Sequence, residues 1–528
     1  MNLVSEKWIP VLNTGGRRQL ISLRDAFCQG EQWRDLAVRP HERVALMRLL
    51  LCIAHAALEG PSPGEWPLVP KLLPKKAEEY LKKWEGSFDL FDAEKPFLQI
   101  AGLKAATKNV KDGDDADGPL VNASKLDFAL ATGNQSTLFD HAGSLLQRSA
   151  ALLSPAVSLL TYLCFSPGGR IGRVIWNNHT TEGSSSDAPC AVGSMTHTFW
   201  RGGHLLQTLH LNMCDRAHIE QHLACVGAGW GKPVWEQMPK GLDDKAAWNN
   251  AAQTYLGRLV PLSRLVLFQR EGSLVILGTG PAFPNFNSVK SPFVEEPTAT
   301  VITRRKGQIE ERGILAISQG KALWRELPAL VAYRNKDNVG GFWAARIEGQ
   351  MDIVDRDIIV SCMERKPGKA EVVDTIESVY NIKKGLQTEI GQKLYDRLVK
   401  YAEKISYNLN FALNKYNESL GGYSEKFTRK EKAKTIYWTA AEQNLPLLFA
   451  CVESLGTDNL PDAQKAWAKS LFAAARQAYA AACAPQTPRQ HRAYALGLAK
   501  LSKPVDDANS STAASDTSSD TSHEEDDE

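Results

Sequence analysis

The run Ser166-Pro167-Gly168-Gly169-Arg170-Ile171-Gly172-Arg173 combines residue types that could do chemistry. Three glycines fall within five positions, with Arg170 and Arg173 among them. Glycine lacks a Cβ, so its backbone can approach a ligand closely and take φ > 0 without strain. A guanidinium beside that bare backbone adds charge and a planar fork of donors. The combination suits a phosphate backbone or a nucleic-acid groove. Neither nucleotide fingerprint fits, because no Gly-Lys-Ser/Thr closes the loop and no G-x-G-x-x-G runs through it. A plain connector is the competing reading.

Other stretches carry weaker signals. Gly133 to Asp140 is polar with an apolar tip, Leu138-Phe139, which either plugs the core or presents an aromatic to a base or a partner. His204 and His210 share parity on a run read as a strand, but no carboxylate or thiolate cluster accompanies them, and strand histidines are the simpler account. Basic turns are expected at Arg304-Arg305-Lys306-Gly307 and at Met363 to Ala370. Lys426, Arg429, Lys430, Lys432 and Lys434 open a helix, as a solvated face or a phosphate track.

The elements that must position these residues follow from periodicity. A hairpin is expected over Asn2 to Leu23, with Ser22 capping a helix from Leu23 to Cys28. Arg43 to Leu58 has a helical period, and a Pro-rich connector then leads to a helix over Lys75 to Trp84. Lys104 to Pro119 reads as an exposed loop and Leu145 to Phe165 as a helix entering the glycine loop. Met195 to Trp200 and His204 to Leu211 read as strands, as do pieces from Leu259 to Gly278, Ala299 to Thr303 and Asp357 to Cys362. From Val372 onward the period is helical, with helices over Lys393 to Tyr416, Ala433 to Leu455, Asp462 to Cys483 and Pro488 to Leu501. The expected class is α+β: a large mixed α/β domain over residues 1–370, a four-helix bundle over 371–503, and a disordered acidic tail over 504–528.

Of 528 residues, all 62 lysines and arginines and 51 of the 60 acidic residues precede residue 504. The body therefore carries +11 and the tail −9, so a polyanionic partner is favoured. The tail either mimics nucleic acid over that basic surface or keeps the chain soluble. Nine scattered cysteines without a C-x-x-C pair argue against structural zinc and for reduced thiols in the cytoplasm. Glu6, Lys7 and Trp8 stand where a secretory signal would be apolar, and Val44 to Leu58 is too short to span a membrane.

Trp8-Ile9-Pro10-Val11, Ile21-Ser22-Leu23 and Pro96-Phe97-Leu98-Gln99, in order with the glycine loop and the terminal helices, give the chain a family likeness. From about Asn2 to Lys503 it resembles the CasA-type large subunit of the type I-E CRISPR surveillance complex, Cascade. The resemblance implies a non-catalytic subunit that recognises the protospacer-adjacent motif (PAM) of double-stranded DNA from the minor groove. It implies that the subunit promotes duplex opening and R-loop formation, and helps recruit a helicase-nuclease. The other Cascade subunits and the 5′ end of the guide RNA (crRNA) are its implied partners. Carried onto this chain, the DNA-binding set is Gly168, Gly169, Arg170, Gly172 and Arg173. A wedge turn falls at Gly368-Lys369, where the best-known relatives carry glutamine. A basic finger falls between about Val266 and Lys290, with Arg270 the first choice and Lys290 the second. The loop toward the guide-RNA end contains Asn134, Gln135, Leu138 and Phe139. Some relatives have paired C-x-x-C zinc sites; this chain has none, and no metal or cofactor is carried over. The alternative function is a nucleotide-dependent enzyme using Gly168 to Gly172 as a phosphate cradle.

Overall fold

The computed structural model describes residues 1–106, 120–127, 154–191, 194–222, 229–269, 272–283, 296–306, 309–316, 322–331, 344, 353–365, 372–421 and 426–501. They divide into two compact units, the second beginning at Lys393.

In the first unit, β1 (Ile9–Asn13) and β2 (Arg18–Ile21) form the expected hairpin, and a capping box between Ser22 and Asp25 starts α1 (Leu23–Cys28). β3 (Trp33–Leu36) pairs with the other edge of β1. Next come α2 (Pro40–Leu58), α3 (Val69–Lys83), β4 (Lys104–Ala105), β5 (Leu120–Asn122) and α4 (Pro155–Phe165). Four short strands follow: β6 (Gly169–Arg170), β7 (Val174–Trp176), β8 (His179–Thr180) and β9 (Ser184–Ser185). The chain continues through β10 (Met195–Arg201), α5 (Leu205–Asn212), α6 (Arg216–His222), α7 (Lys245–Gln253) and α8 (Tyr255–Leu259). It ends with β11 (Arg264–Gln269), β12 (Leu274–Thr279), β13 (Val301–Lys306), β14 (Ile309–Ile314), α9 (Leu327–Val331), β15 (Arg356–Arg365) and β16 (Val372–Ile382). The sheets are small and antiparallel, in the orders β2-β1-β3, β10-β15-β16, β11-β12-β5, β4-β7-β8, β6-β9 and β13-β14.

Helix α2 is the hub. Its residues from His41 to His55 are buried on almost every side, as its continuous apolar run requires. It packs against α3, α4, α5, α8 and the strand pair β15–β16.

The second unit contains α10 (Glu389–Leu420, whose first residues belong to the first unit), α11 (Lys426–Gln443), α12 (Leu445–Glu453), α13 (Leu460–Ala482) and α14 (Pro488–Leu501). Arg429 of α11 bonds Asn417, and the Tyr437 hydroxyl donates to the Ala402 carbonyl at 2.7 Å, so α10 and α11 run antiparallel. The Tyr479 hydroxyl donates to the Tyr494 carbonyl at 3.0 Å, joining α13 to an antiparallel α14. α10, α11, α13 and α14 thus form an up-down-up-down bundle, with the nine-residue α12 between α11 and α13.

The structure corrects five sequence expectations. Val372 to Ile382 is the strand β16, because its β-branched residues pair along all of β15; the helical period starts at Glu389. His204 to Leu211 is not a strand: His204 caps α5 by accepting the Gln207 N–H, so its parity with His210 has no strand meaning. The proline connector ends early, since α3 begins at Val69 with Pro70 in its first turn and Pro74 inside. Arg304, Arg305 and Lys306 belong to β13 rather than to a turn. Ala433 to Leu455 is two helices, broken at Asn444 before Pro446.

A buried histidine couples this packing to pH. His55 Nδ1 lies 2.9 Å from the Leu51 carbonyl, and Nε2 accepts the Cys214 N–H at 3.1 Å, which fixes the neutral tautomer. Burial pushes its pKa from 6.5 down to about 4, and His41 is lowered to about 4 by burial and then by Arg39. Between those values the unfolded chain binds more protons than the folded one. This stability is therefore intact above pH 6.5 and is lost as pH falls toward 4. Melting temperature should fall across that window, and His55→Gln should flatten the slope. An unchanged slope in the variant would contradict the assignment.

Candidate nucleic-acid interface

The glycine loop leaves the C-terminal end of α4, a helix whose residues from Ala156 to Phe165 are all buried. Pro167 biases Ser166 toward extended backbone, and Ser166, at ψ 125°, is where the helix stops. The loop therefore sits at the negative end of a helix dipole. A phosphate cradle draws on the positive end, so nothing here favours the nucleotide reading.

The chain then doubles back on itself. Gly169 pairs with Ser185 and Arg170 with Ser184, and the Ile171 N–H donates to the Gly183 carbonyl at 2.9 Å. At Gly168 the two legs nearly touch. A Cβ there would stand 2.9 Å from both the Ser185 carbonyl oxygen and the Asp187 nitrogen. The Gly168 N–H donates to Asp187 Oδ1 at 2.6 Å. Gly169 differs: its φ is +139°, and no atom lies within 4 Å of the position a Cβ would take. One glycine lets the legs close, and the next, although paired with Ser185, leaves its outward side without a side chain. Gly169, Arg170 and Arg173 are exposed, Gly172 is half-buried, and a Cβ on Gly183 would stand 3.6 Å from the Arg173 stem. Between the legs, β7 and β8 form a hairpin turned by Asn177 and Asn178 at φ 49° and 63°.

A single buried guanidinium clamps the base. Arg264 Nη2 donates to the carbonyls of Ser166 (3.2 Å), Pro167 (3.2 Å) and Ser186 (2.6 Å), so both legs hang from one side chain. Burial lowers the Arg264 pKa, and the nearby Tyr162 hydroxyl and Asp187 oppose that shift. Thr279, at the end of β12, donates to the Glu182 and Ser184 carbonyls at 2.7 and 3.2 Å. Asp187 Oδ2 meets Arg365 Nη1 at 2.9 Å, and the Arg365 N–H donates to Ser194 Oγ at 3.0 Å.

The five loop residues Gly168, Gly169, Arg170, Gly172 and Arg173 thus come together. Arg365 at the end of β15 ties the strands flanking residues 366–371 to the same base. Gly368 and Lys369 themselves lie outside the described residues, as do Arg270, Lys290, Asn134, Gln135, Leu138 and Phe139. Arg270 follows Gln269, the last residue of β11. Lys290 precedes Glu296, a fully buried carboxylate bonded to Arg48 and Arg258. Cys190, just past the loop's return leg, donates to that carboxylate at 3.7 Å. The sequence reading missed Arg264 and Asp187, of which Arg264, a charge between Leu262 and Leu265 in an apolar run, left a readable trace; it put Arg365 in the basic turn Met363 to Ala370, whereas Met363 to Arg365 end the strand β15. Among the described residues no group of three His, Cys, Asp or Glu could hold a metal ion, and no helix is long and apolar enough to cross a membrane.

Fold and loop together define a two-unit α+β protein that presents a side-chain-free bend on a clamped base. The family model of CRISPR-associated protein Cse1 matches residues 2–478, and the chain belongs to that family. The CRISPR-associated protein CasA/Cse1 of Thermus thermophilus is 26% identical over 510 residues, covering 91% of this chain and 92% of that one. The crystal structure of Cse1 from Acidimicrobium ferrooxidans superposes with a TM-score of 0.71 at 19% identity, over 95% of this chain and 96% of that one. A chain of a structure described as a CRISPR RNA-guided surveillance complex gives 0.69 at 16% identity, over 95% and 99%. At these identities the superpositions establish the shared fold.

The clamp has a direct test. Gly168→Ala drives a methyl into backbone on both sides and should destabilise by about 1–3 kcal/mol, as overpacking does. Hydrogen exchange should accelerate in peptides covering 166–187. Arg264→Met should loosen the same peptides. Wild-type exchange in both variants would rule out the clamp.

Proposed function

We propose that this chain is the large subunit of a type I-E CRISPR surveillance complex, Cascade, and reads the PAM of double-stranded DNA through Gly168 to Gly172. The observation that carries the reading is Gly169: exposed, at φ +139°, with open space where any other residue would place a Cβ. Main chain there can enter a minor groove that a side chain would block. Arg170 and Arg173 flank it and supply cations for the phosphate rails. The minor groove offers a degenerate donor and acceptor pattern, so such a loop discriminates coarsely and tolerates several motifs.

Opening the duplex costs a few kcal/mol per unstacked step, offset by contacts and by guide pairing. The turn containing Gly368 and Lys369 is the proposed wedge, and the Arg365–Asp187 pair supports its placement beside the glycine loop. Lys369, where relatives carry glutamine, would add a cation to that wedge. Arg270, and after it Lys290, are the proposed finger residues. Asn134, Gln135, Leu138 and Phe139 are assigned to the loop facing the crRNA 5′ end. The role is non-catalytic: other Cascade subunits are its partners, and the helicase-nuclease is recruited after R-loop formation.

The test uses the assembled complex with guide RNA. Gly169→Asp should weaken binding to a PAM-bearing duplex by about 10- to 100-fold, the scale of one lost base-pair discrimination, with assembly intact. Because aspartate at that φ is itself strained, Arg170→Ala and Arg173→Ala provide a second arm. They should weaken PAM-bearing and PAM-less duplexes alike and reduce the salt slope by about one each. Unchanged PAM discrimination in Gly169→Asp would overturn the reading.

A further inference from the structure

The basic charge of this chain is unevenly placed. Residues 1–392 carry 45 basic and 42 acidic residues, a net of +3. Residues 393–503 carry 17 and 9, a net of +8 in less than a third of the length. Residues 504–528 then add nine acidic residues and no lysine or arginine. The chain thus ends in a segment whose charge almost cancels that of the unit to which it is attached.

Within that unit, α10 buries Leu394, Leu398, Ile405 and Leu409. Its opposite face exposes Lys393, Arg397, Lys400 and Lys404, spaced by four, three and four residues, with the exposed Asp396 and the half-buried Glu403 among them, so the row keeps a net positive charge. That spacing puts all four cations in one row. The row is about 16 Å long.

The course of α14 brings the tail to this row. Arg489 Nη2 donates to the Leu420 carbonyl at 2.8 Å, and a Cβ on Gly497 would stand 2.7 Å from the Ala412 carbonyl oxygen. α14 therefore runs antiparallel to α10, in a register that brings Leu501 alongside the stretch around Asn408. Lys404 is one turn farther along, in the direction α14 was already travelling. Twenty-five residues span roughly 85 Å when extended and average about 25–30 Å end to end when flexible, so every acidic position can reach the row.

We infer that the acidic segment 504–528 docks in cis along the Lys393, Arg397, Lys400 and Lys404 face of α10 and shields the helical unit from polyanions. Tethering places the carboxylates at an effective concentration of about millimolar, so weak individual pairs suffice. A nucleic acid reaching this face must displace the tail, which suppresses binding to duplexes that offer no other contact. The inference goes beyond the PAM reading and does not rest on it, since it concerns a different unit and needs neither a PAM nor other subunits.

Zero-length carbodiimide crosslinking of the full chain tests the docking. Links should join Asp or Glu residues of 504–528 to Lys393, Lys400 and Lys404, and should disappear at about 0.5 M salt, where screening is strong. No links, or links spread evenly over lysines of the first unit, would overturn it. The shielding is tested by changing the nine acidic residues to their amides, which leaves the described fold untouched. That variant, alone and at about 0.1 M salt, should bind a PAM-less duplex about tenfold more tightly than the full chain, and the difference should vanish at high salt. Equal affinity would overturn the shielding. Combining Lys400→Glu and Lys404→Glu in the full chain should reverse the charge beside Lys393 and remove the link to that remaining lysine, without altering the melting temperature. Persistence of that link would assign the contact elsewhere.

Discussion

The Glu296 carboxylate, fully buried between the guanidinium groups of Arg48 and Arg258, is the interaction on which the first unit depends. Three charges out of water are tolerable only if every donor is used. Here Arg48 also bonds the carbonyls of Leu259 (2.9 Å) and Pro297 (2.6 Å), and Arg258 that of Ala252 (2.8 Å). Removing one partner from such a set typically costs about 3–5 kcal/mol, because the others remain buried and uncompensated. The triad joins α2, α8 and the segment 296–300, which pairs with β10 through Thr298 and Thr300. It also supports a strained residue. Thr298 holds φ +73°, and its hydroxyl lies 2.9 Å from His197 Nδ1. Cys190 reaches the same carboxylate, so the return leg of the glycine loop stands on this ionic core.

Stiffness therefore decreases from the core outward. Glu296 and its arginines fix the floor, Arg264 gathers three carbonyls above it, and Gly168 closes the legs. Gly169, Arg170 and Arg173 at the tip are left exposed. A recognition element that relies on main chain rather than side chains needs this arrangement. Backbone donors cannot rotate to find a partner, so their positions must be set before the ligand arrives.

The sequence disclosed the tip far better than the base. The run of glycines and arginines was legible because both residue types are unusual in that density, and α2 and the bundle helices were legible from their apolar period. The clamp was not. Asp187 and Arg365 are 178 positions apart and pair only because β15 happens to end beside the return leg. The strand β16 was hidden for a related reason: its register with β15 is a long-range property, and a local window over Val372 to Ile382 cannot see it. His204 to Leu211 shows the opposite failure, where a short apolar run satisfied two periods and the cap at His204 decided between them.

The place of the Gly169 main chain when DNA is bound separates a PAM-reading loop from a plain connector. A structure of the assembled complex on PAM-bearing duplex measures that directly. If the loop reads the PAM, the Gly169 main chain will lie against minor-groove base edges at the PAM, with Arg170 and Arg173 on the adjoining phosphates. A loop that faces solvent away from the duplex, or is sealed against another subunit, would contradict it.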